Sequence, residues 1–190
     1  VVLYLLFGSL VTKLGFAQKK LAGIAEARDG RRGPENVWGS AATGLFLAIL
    51  FKLTIGIENI LLIGFAASFS AKLADTFGSE IGKRWGGRTV LITSFKPVSP
   101  GTDGGITLEG TCASLFGSFL MSLIFVCLFK NEIGSYLMLI TICGFLSTIL
   151  ESLFGALFQN KYSWISNEFV NFLQTLVSAL LAISFSLLTL

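Results

Sequence analysis

The chain contains no histidine. That absence excludes a Ser-His-Asp triad, a Cys-His dyad, an H-E-x-x-H zinc site and any imidazole general base. Charge is scarce as well: 13% of the 190 residues are Asp, Glu, Lys or Arg, where globular domains average about a quarter. The three cysteines, Cys112, Cys127 and Cys143, sit inside apolar runs and form no C-x-x-C, so they read as small hydrophobes and not as redox or metal-binding groups. Neither a Walker A string nor a Rossmann fingerprint occurs. What the chain has in abundance is apolar surface: 53% hydrophobic residues and a mean hydropathy of +0.79. This composition excludes an ordinary soluble domain, a disordered chain and a disulfide scaffold. It predicts an all-α, polytopic membrane protein forming one domain over residues 1–190.

A helix crossing ~30 Å of hydrocarbon needs about 20 mostly apolar residues. Gly110 to Phe129, Ile133 to Leu150 and Phe169 to Leu190 are uncharged runs of that kind. Asn36 to Phe51 ends at Lys52, whose long side chain can snorkel. Asn59 to Ala71 runs into Lys72 and Asp75. Val1 to Thr12 is uncharged, but a helix of that length rises only about 18 Å. It is expected to be the end of a helix whose start, with any preceding helices, is missing. The expectation is therefore about six spans, the first incomplete. Six spans put the loops after the first, third and fifth on one side. Those loops hold Lys13, Lys19, Lys20, Arg28, Arg31, Arg32, Lys83, Arg84, Arg88, Lys96 and Lys161, against Lys52 and Lys130 opposite. By the positive-inside rule the basic side faces the cytosol or, in a plastid, the stroma.

The same loops gather acids and glycines. Gly30-Arg31-Arg32-Gly33-Pro34-Glu35-Asn36-Val37 places adjacent guanidinium forks between glycines, suited either to a phosphate or to anionic lipid at the interface. In Ser68 to Gly82, residues Ser68, Ala71, Asp75, Gly78/Ser79 and Gly82 fall on one helical face, where small side chains let another helix approach. Asp75 and Glu80 lie within a turn or so of each other and suit a shared divalent cation. Mg²⁺ takes one or two carboxylates and completes its shell with water and phosphate. The alternative is a self-neutralising Lys72–Asp75 pair. Lys96-Pro97-Val98-Ser99-Pro100-Gly101-Thr102-Asp103-Gly104-Gly105 precedes the Gly110 helix. Its backbone N–H groups, that helix N-terminus and Lys96 suit an anion. A fainter echo of the Asp75 string surrounds Glu151, and Glu151, Asn167 and Asn171 are expected on the same side of the membrane.

Taken in order, the Gly30–Val37, Ala74–Gly82 and Lys96–Gly105 strings, with the late Glu151-Ser152 and Asn167-Glu168-Phe169-Val170-Asn171 strings, resemble an integral membrane family. That family includes the phytyl-phosphate kinases of vitamin E synthesis in plants and cyanobacteria, with animal and archaeal relatives. The resemblance covers nearly the whole chain. It implies CTP-dependent phosphoryl transfer to phytyl phosphate, giving phytyl diphosphate for tocopherol and phylloquinone synthesis.

On this reading Asp75, Glu80 and Lys96 are the candidate catalytic residues, with Asp75 and Glu80 holding Mg²⁺. Arg31, Arg32, Asn36, Lys72, Thr76, Ser79, Gly101, Thr102, Gly104, Gly105, Glu151, Asn167 and Asn171 are the candidate phosphate- and substrate-binding residues. The prenyl tail is expected between helices, near Ser68 and Ala71. The expected partners are the bilayer, a nucleoside triphosphate and an isoprenyl monophosphate. No nucleic-acid partner is expected, and the oligomeric state is left open. The expected location is an integral membrane one: plastid envelope or thylakoid in a plant or alga, cytoplasmic or thylakoid membrane in a cyanobacterium. The alternative is a transporter or scramblase of phosphorylated isoprenoids or lipids.

Overall fold

The computed structural model describes residues 1–26, 28–30, 33–159 and 161–188. Arg31 and Arg32, expected to bind phosphate, lie outside the described residues. The fold is all-α. Its helices are α1 (Val2–Lys13), α2 (Phe16–Leu21), α3 (Pro34–Leu53), α4 (Glu58–Trp85), α5 (Leu108–Leu128), the short α6 (Lys130–Ile133), α7 (Leu137–Phe154) and α8 (Asn167–Leu188). A two-stranded antiparallel ladder, β1 (Val90–Leu91) with β2 (Gly105–Ile106), lies between α4 and α5. Among the described residues, five segments are long and apolar enough to cross a membrane: α3, α4, α5, Lys130–Gln159 and α8. The apolar α1 is shorter. The chain is an integral membrane protein.

Local chemistry marks the helix ends. Pro34 opens α3, where a missing N–H costs nothing, and Asn36 Oδ1 accepts from the Gly33 N–H at 3.1 Å. Thr107 caps α5 by accepting from the Gly110 N–H at 2.9 Å.

The largest departure from the expected spans concerns α4. The charges that end the apolar run at Lys72 and Asp75 place the third loop from Asp75, yet the helix continues to Trp85. No proline interrupts that stretch. Its glycines are tolerated because α5 lies directly against them. A Cβ on Gly110 would stand 2.8 Å from the Gly78 carbonyl oxygen, so the two backbones touch where only glycine allows it. Asp75 is therefore a mid-helix residue.

α4 is the central post and packs against α1, α3, α5, α7 and α8. Phe65, Phe69, Phe125 and Tyr4 form an aromatic cluster beside it, with Phe65 and Phe125 edge-to-face at 5.5 Å. Such pairs add ~0.5–1.5 kcal/mol beyond burial. Lower down, hydroxyls join three helices. Ser70 Oγ lies 2.9 Å from both Ser118 Oγ and Ser122 Oγ, and Ser118 Oγ donates to the Thr141 carbonyl at 2.7 Å.

The loops after α2, α4 and α7 meet at one end of the bundle, as alternation requires. We expect cysteines substituted for Lys20 and Gly87 to be labelled from one side of sealed vesicles and one substituted for Ile55 from the other, with the native cysteines replaced by alanine. Lys20, Gly87 and Ile55 are all exposed. Labelling of positions 20 and 87 from opposite sides would refute the arrangement.

Candidate functional site

At the end of the bundle where these loops meet, a cavity of about 310 Å³ opens. Its back wall is a stripe of α4, Lys72, Asp75, Thr76, Ser79 and Lys83, repeating at helical spacing. Thr107, Gly110 and Thr111 bring in the N-terminus of α5. Thr148, Glu151 and Ser152 come from α7, Asn167 and Asn171 from the first turns of α8, and Asn36 from α3. The β1–β2 segment closes the mouth with Thr89, Ile92 and the stretch from Pro100 to Ile106.

Asp75 is the pivot of the charged wall. Lys72 Nζ donates to Asp75 Oδ2 at 2.5 Å and to Asn171 Oδ1 at 2.8 Å, and the lysine is buried. The self-neutralising pair weighed from the sequence thus exists, but it lines a cavity instead of an open surface. Its carboxylate is 18% exposed and faces that cavity. Glu151 interacts electrostatically with Asp75, Lys72 and Asp103. Burial pushes the Asp103 carboxyl above its ordinary range, and the charge of Lys83 opposes that push. Among the described residues no three acids or cysteines stand close enough to cage a metal ion. The donor set fits only a cation that takes one or two carboxylates and draws its other ligands from water and phosphate.

Glu80 has a different partner from the one expected. It lines the cavity, but its carboxylate is buried in an ion pair with Lys19 of α2. Lys19 Nζ also donates to the Thr12 carbonyl at 2.9 Å. Five residues turn the helix by ~140° from Asp75 to Glu80, so the two carboxylates address different neighbours. The Asp75 and Glu80 carboxylates expected to share a metal ion are thus each paired with a different lysine.

Lys96 is also displaced from its expected place. Its carbonyl accepts from the Leu91 N–H at 2.9 Å, and its side chain is exposed on the connection between the strands, away from the cavity lining. Lys83 stands in the cavity instead. The stripe Lys72, Thr76, Ser79, Lys83, at steps of four, three and four, is the sequence signal that locates it.

The glycine-rich loop is more self-contained than a phosphate cradle. The Thr102 and Gly105 N–H groups donate within the loop, to the Ser99 and Thr102 carbonyls at 3.2 and 2.8 Å, and the Thr102 hydroxyl donates to the Ser99 carbonyl at 2.7 Å. Gly104 is required where it is. Its φ is +73°, and a Cβ would meet the Ser152 carbonyl oxygen at 2.7 Å. Gly101, Thr102, Gly104 and Gly105 thus set the loop against α7 and shape the mouth. Thr76 and Ser79 hydroxyls donate back to the Lys72 and Thr76 carbonyls at 2.9 and 3.3 Å.

Ser68 and Ala71, expected beside the prenyl tail, are fully packed. The Gln174 side-chain amide donates to the Ala71 carbonyl at 3.1 Å, and Ser178 Oγ donates to the Ala67 carbonyl at 2.9 Å. Around Ala71 that face is taken up by contact with α7 and α8.

Residues 1–179 match the family described as integral membrane protein DUF92. The chain is 42% identical over 186 residues to an uncharacterized membrane protein of Synechocystis sp., covering 96% of this chain and 71% of the relative. It is 38% identical over 193 residues to protein VTE6, chloroplastic, of Arabidopsis thaliana, covering 95% of this chain and 55% of that protein. An uncharacterized membrane protein of Methanocaldococcus jannaschii is 34% identical over 184 residues, covering 95% of this chain and 72% of the relative. No solved structure matches the chain.

Proposed function

This chain belongs to the DUF92 family of integral membrane proteins, and on that premise we propose that it is a kinase transferring a phosphoryl group from CTP to phytyl phosphate. The reading is supported by the resemblance to phytyl-phosphate kinases and by the match to a chloroplast protein, VTE6, of which the chain spans about half. The observation that carries it is the cavity itself. In a chain with few charges, Asp75, Glu151, Asp103, Lys72 and Lys83 meet in one polar space ringed by two helix N-termini. Phosphoryl transfer asks a protein mainly for positioning and charge stabilisation.

An oxygen of the acceptor phosphomonoester attacks the γ-phosphorus of the donor. The bond from that phosphorus to the β–γ bridging oxygen breaks, CDP leaves, and the product is phytyl diphosphate. Lys72 and Lys83 counter the phosphate charge. The α5 N-terminus at Thr107 and the α8 N-terminus at Asn167 and Asn171 favour the same anions. Asp75 and Glu151 would hold Mg²⁺, which when bound supplies charge neutralisation across the donor phosphates.

The proposed acceptor is a phosphomonoester and not the free alcohol. An alcohol needs a base to remove its proton, and imidazole, the commonest such base, is absent. A phosphomonoester oxygen is already ionised. We expect purified protein with labelled CTP and Mg²⁺ to favour phytyl phosphate over phytol by roughly 10²–10⁴ in kcat/KM, the usual worth of general base catalysis. Phosphorylation of phytol without any of the monophosphate would overturn the assignment. Flux of phytyl phosphate across liposomes without nucleotide turnover would replace it with a transporter.

A further inference from the structure

The kinase reading leaves open where the acceptor's hydrocarbon lies, and a site for that tail rests on the reading for the head group only. Helices α5 and α7 are clasped where Ser118 Oγ donates to the Thr141 carbonyl at 2.7 Å. One turn closer to the loops stand Ser114 on α5 and Phe145 on α7. A further turn brings Thr111 and Ile149. All four line the cavity. The same cavity thus borders both helices over the two turns above the clasp and takes in the charged wall of α4.

Among the described residues, the seams of α4 with α5 and α7 and of α7 with α8 are closely packed. Gly78 and Gly110 press α4 to α5, and a Cβ on Gly144 of α7 would stand 3.0 Å from the Ala71 backbone nitrogen of α4. Toward α8, the Gln174 side-chain amide spans to Thr148 Oγ1 at 3.0 Å. Outside the α5–α7 seam the helices turn apolar faces outward, with Leu115 at 46% and Leu146 at 42% exposed. On spanning helices such faces meet lipid.

We infer that the cleft between α5 and α7, with Thr111 on one lip and Phe145 and Ile149 on the other, binds the hydrocarbon tail of a lipid monophosphate whose head lies in the cavity. The occupant is an amphiphile because the cleft joins a charged cavity at one end and the apolar outer faces at the other. The small α5 lip supplies width and the apolar α7 lip supplies contact. Phe145 and Ile149 then set the tail length and shape that the protein accepts.

Ile149→Trp and Thr111→Trp should narrow this cleft. The expected result is a fall of at least tenfold in the ratio of kcat/KM for phytyl phosphate over dimethylallyl phosphate, while Leu146→Trp, on the outer face, keeps the ratio. An unchanged ratio in both cleft variants overturns the inference. A second measurement needs no turnover: phytyl phosphate carrying a diazirine at the tail end is photolysed with the wild-type protein in phosphatidylcholine vesicles. Labelling of α5 or α7 beside these residues, competed by unlabelled phytyl phosphate, supports the cleft. Labelling confined to other helices, or displaced equally by added phosphatidylcholine, overturns it. Specific labelling in a protein that consumes no nucleotide would refute the kinase and keep the tail site.

Discussion

Asp75→Asn is expected to lower kcat/KM with CTP and phytyl phosphate by at least about 100-fold, while the protein still inserts and purifies as a single species. Loss of even an outer-shell partner of a metal ligand typically costs ~10–100-fold, and Asp75 is proposed as a ligand itself. A second effect accompanies the substitution. Lys72 is 4% exposed and donates to Asp75 at 2.5 Å, so the amide leaves a buried ammonium short of one counter-charge. That alone lowers stability and could imitate a catalytic defect. Thermal unfolding in detergent, measured beside turnover, separates the two. If Asp75 only neutralises Lys72, turnover well below the unfolding temperature of the variant stays near wild type. If Asp75 serves the reaction, turnover is lost there while the protein is still folded. A folded Asp75→Asn protein with near-wild-type turnover would remove Asp75 from the site.

Lys19→Met is expected to produce the largest loss of stability. Lys19 and Glu80 are both almost completely buried and are paired with each other. Removing one partner of a buried pair leaves an uncompensated charge and costs about 3–5 kcal/mol. The exposed pair Lys20–Asp29, one residue along, offers the contrast: its side chains are 66% and 72% exposed, and such pairs contribute ~0–1 kcal/mol. Lys20→Met should therefore be close to silent in thermal unfolding in detergent. Lys19→Met combined with Glu80→Met should recover most of the loss, because apolar side chains of similar volume often replace a buried pair at little cost. A Lys19→Met protein as stable as wild type would show that the pair does not hold α2 to α4.

Lys19 and Lys20 also mark where sequence reading reaches its limit. They are neighbours of the same type in a short helix, and nothing in their spacing tells which one is buried. Tertiary contact with α4 decides it. The long spans are different, because hydrophobicity sustained over about 20 residues reflects the solvent itself. The α3, α5 and α8 segments were accordingly legible to within a few residues. The end of α4 was not, because charged residues and glycines resemble a loop until α5 is laid against Gly78. Within the site, Asp75, Lys72, Glu151, Asn167 and Asn171 were legible as polar groups placed against an apolar background. Lys96 was misplaced because proximity in sequence to the glycine-rich loop said nothing about which way a two-stranded turn points it. Lys83 was overlooked as a site residue because basic residues near a helix end first suggest topology.

The hydroxyl cluster of Ser70, Ser118 and Ser122, with its bond to Thr141, has a bearing on supply. It binds α4, α5 and α7 together beneath the cavity, so the space proposed for the head group has a floor. On the proposed reading, a phosphorylated lipid is drawn only from the half of the bilayer on the side of the basic loops, and the diphosphate goes back to that same half. Lipid phosphate made or delivered in the opposite leaflet would then have to be turned over by some other means before it could serve as the acceptor.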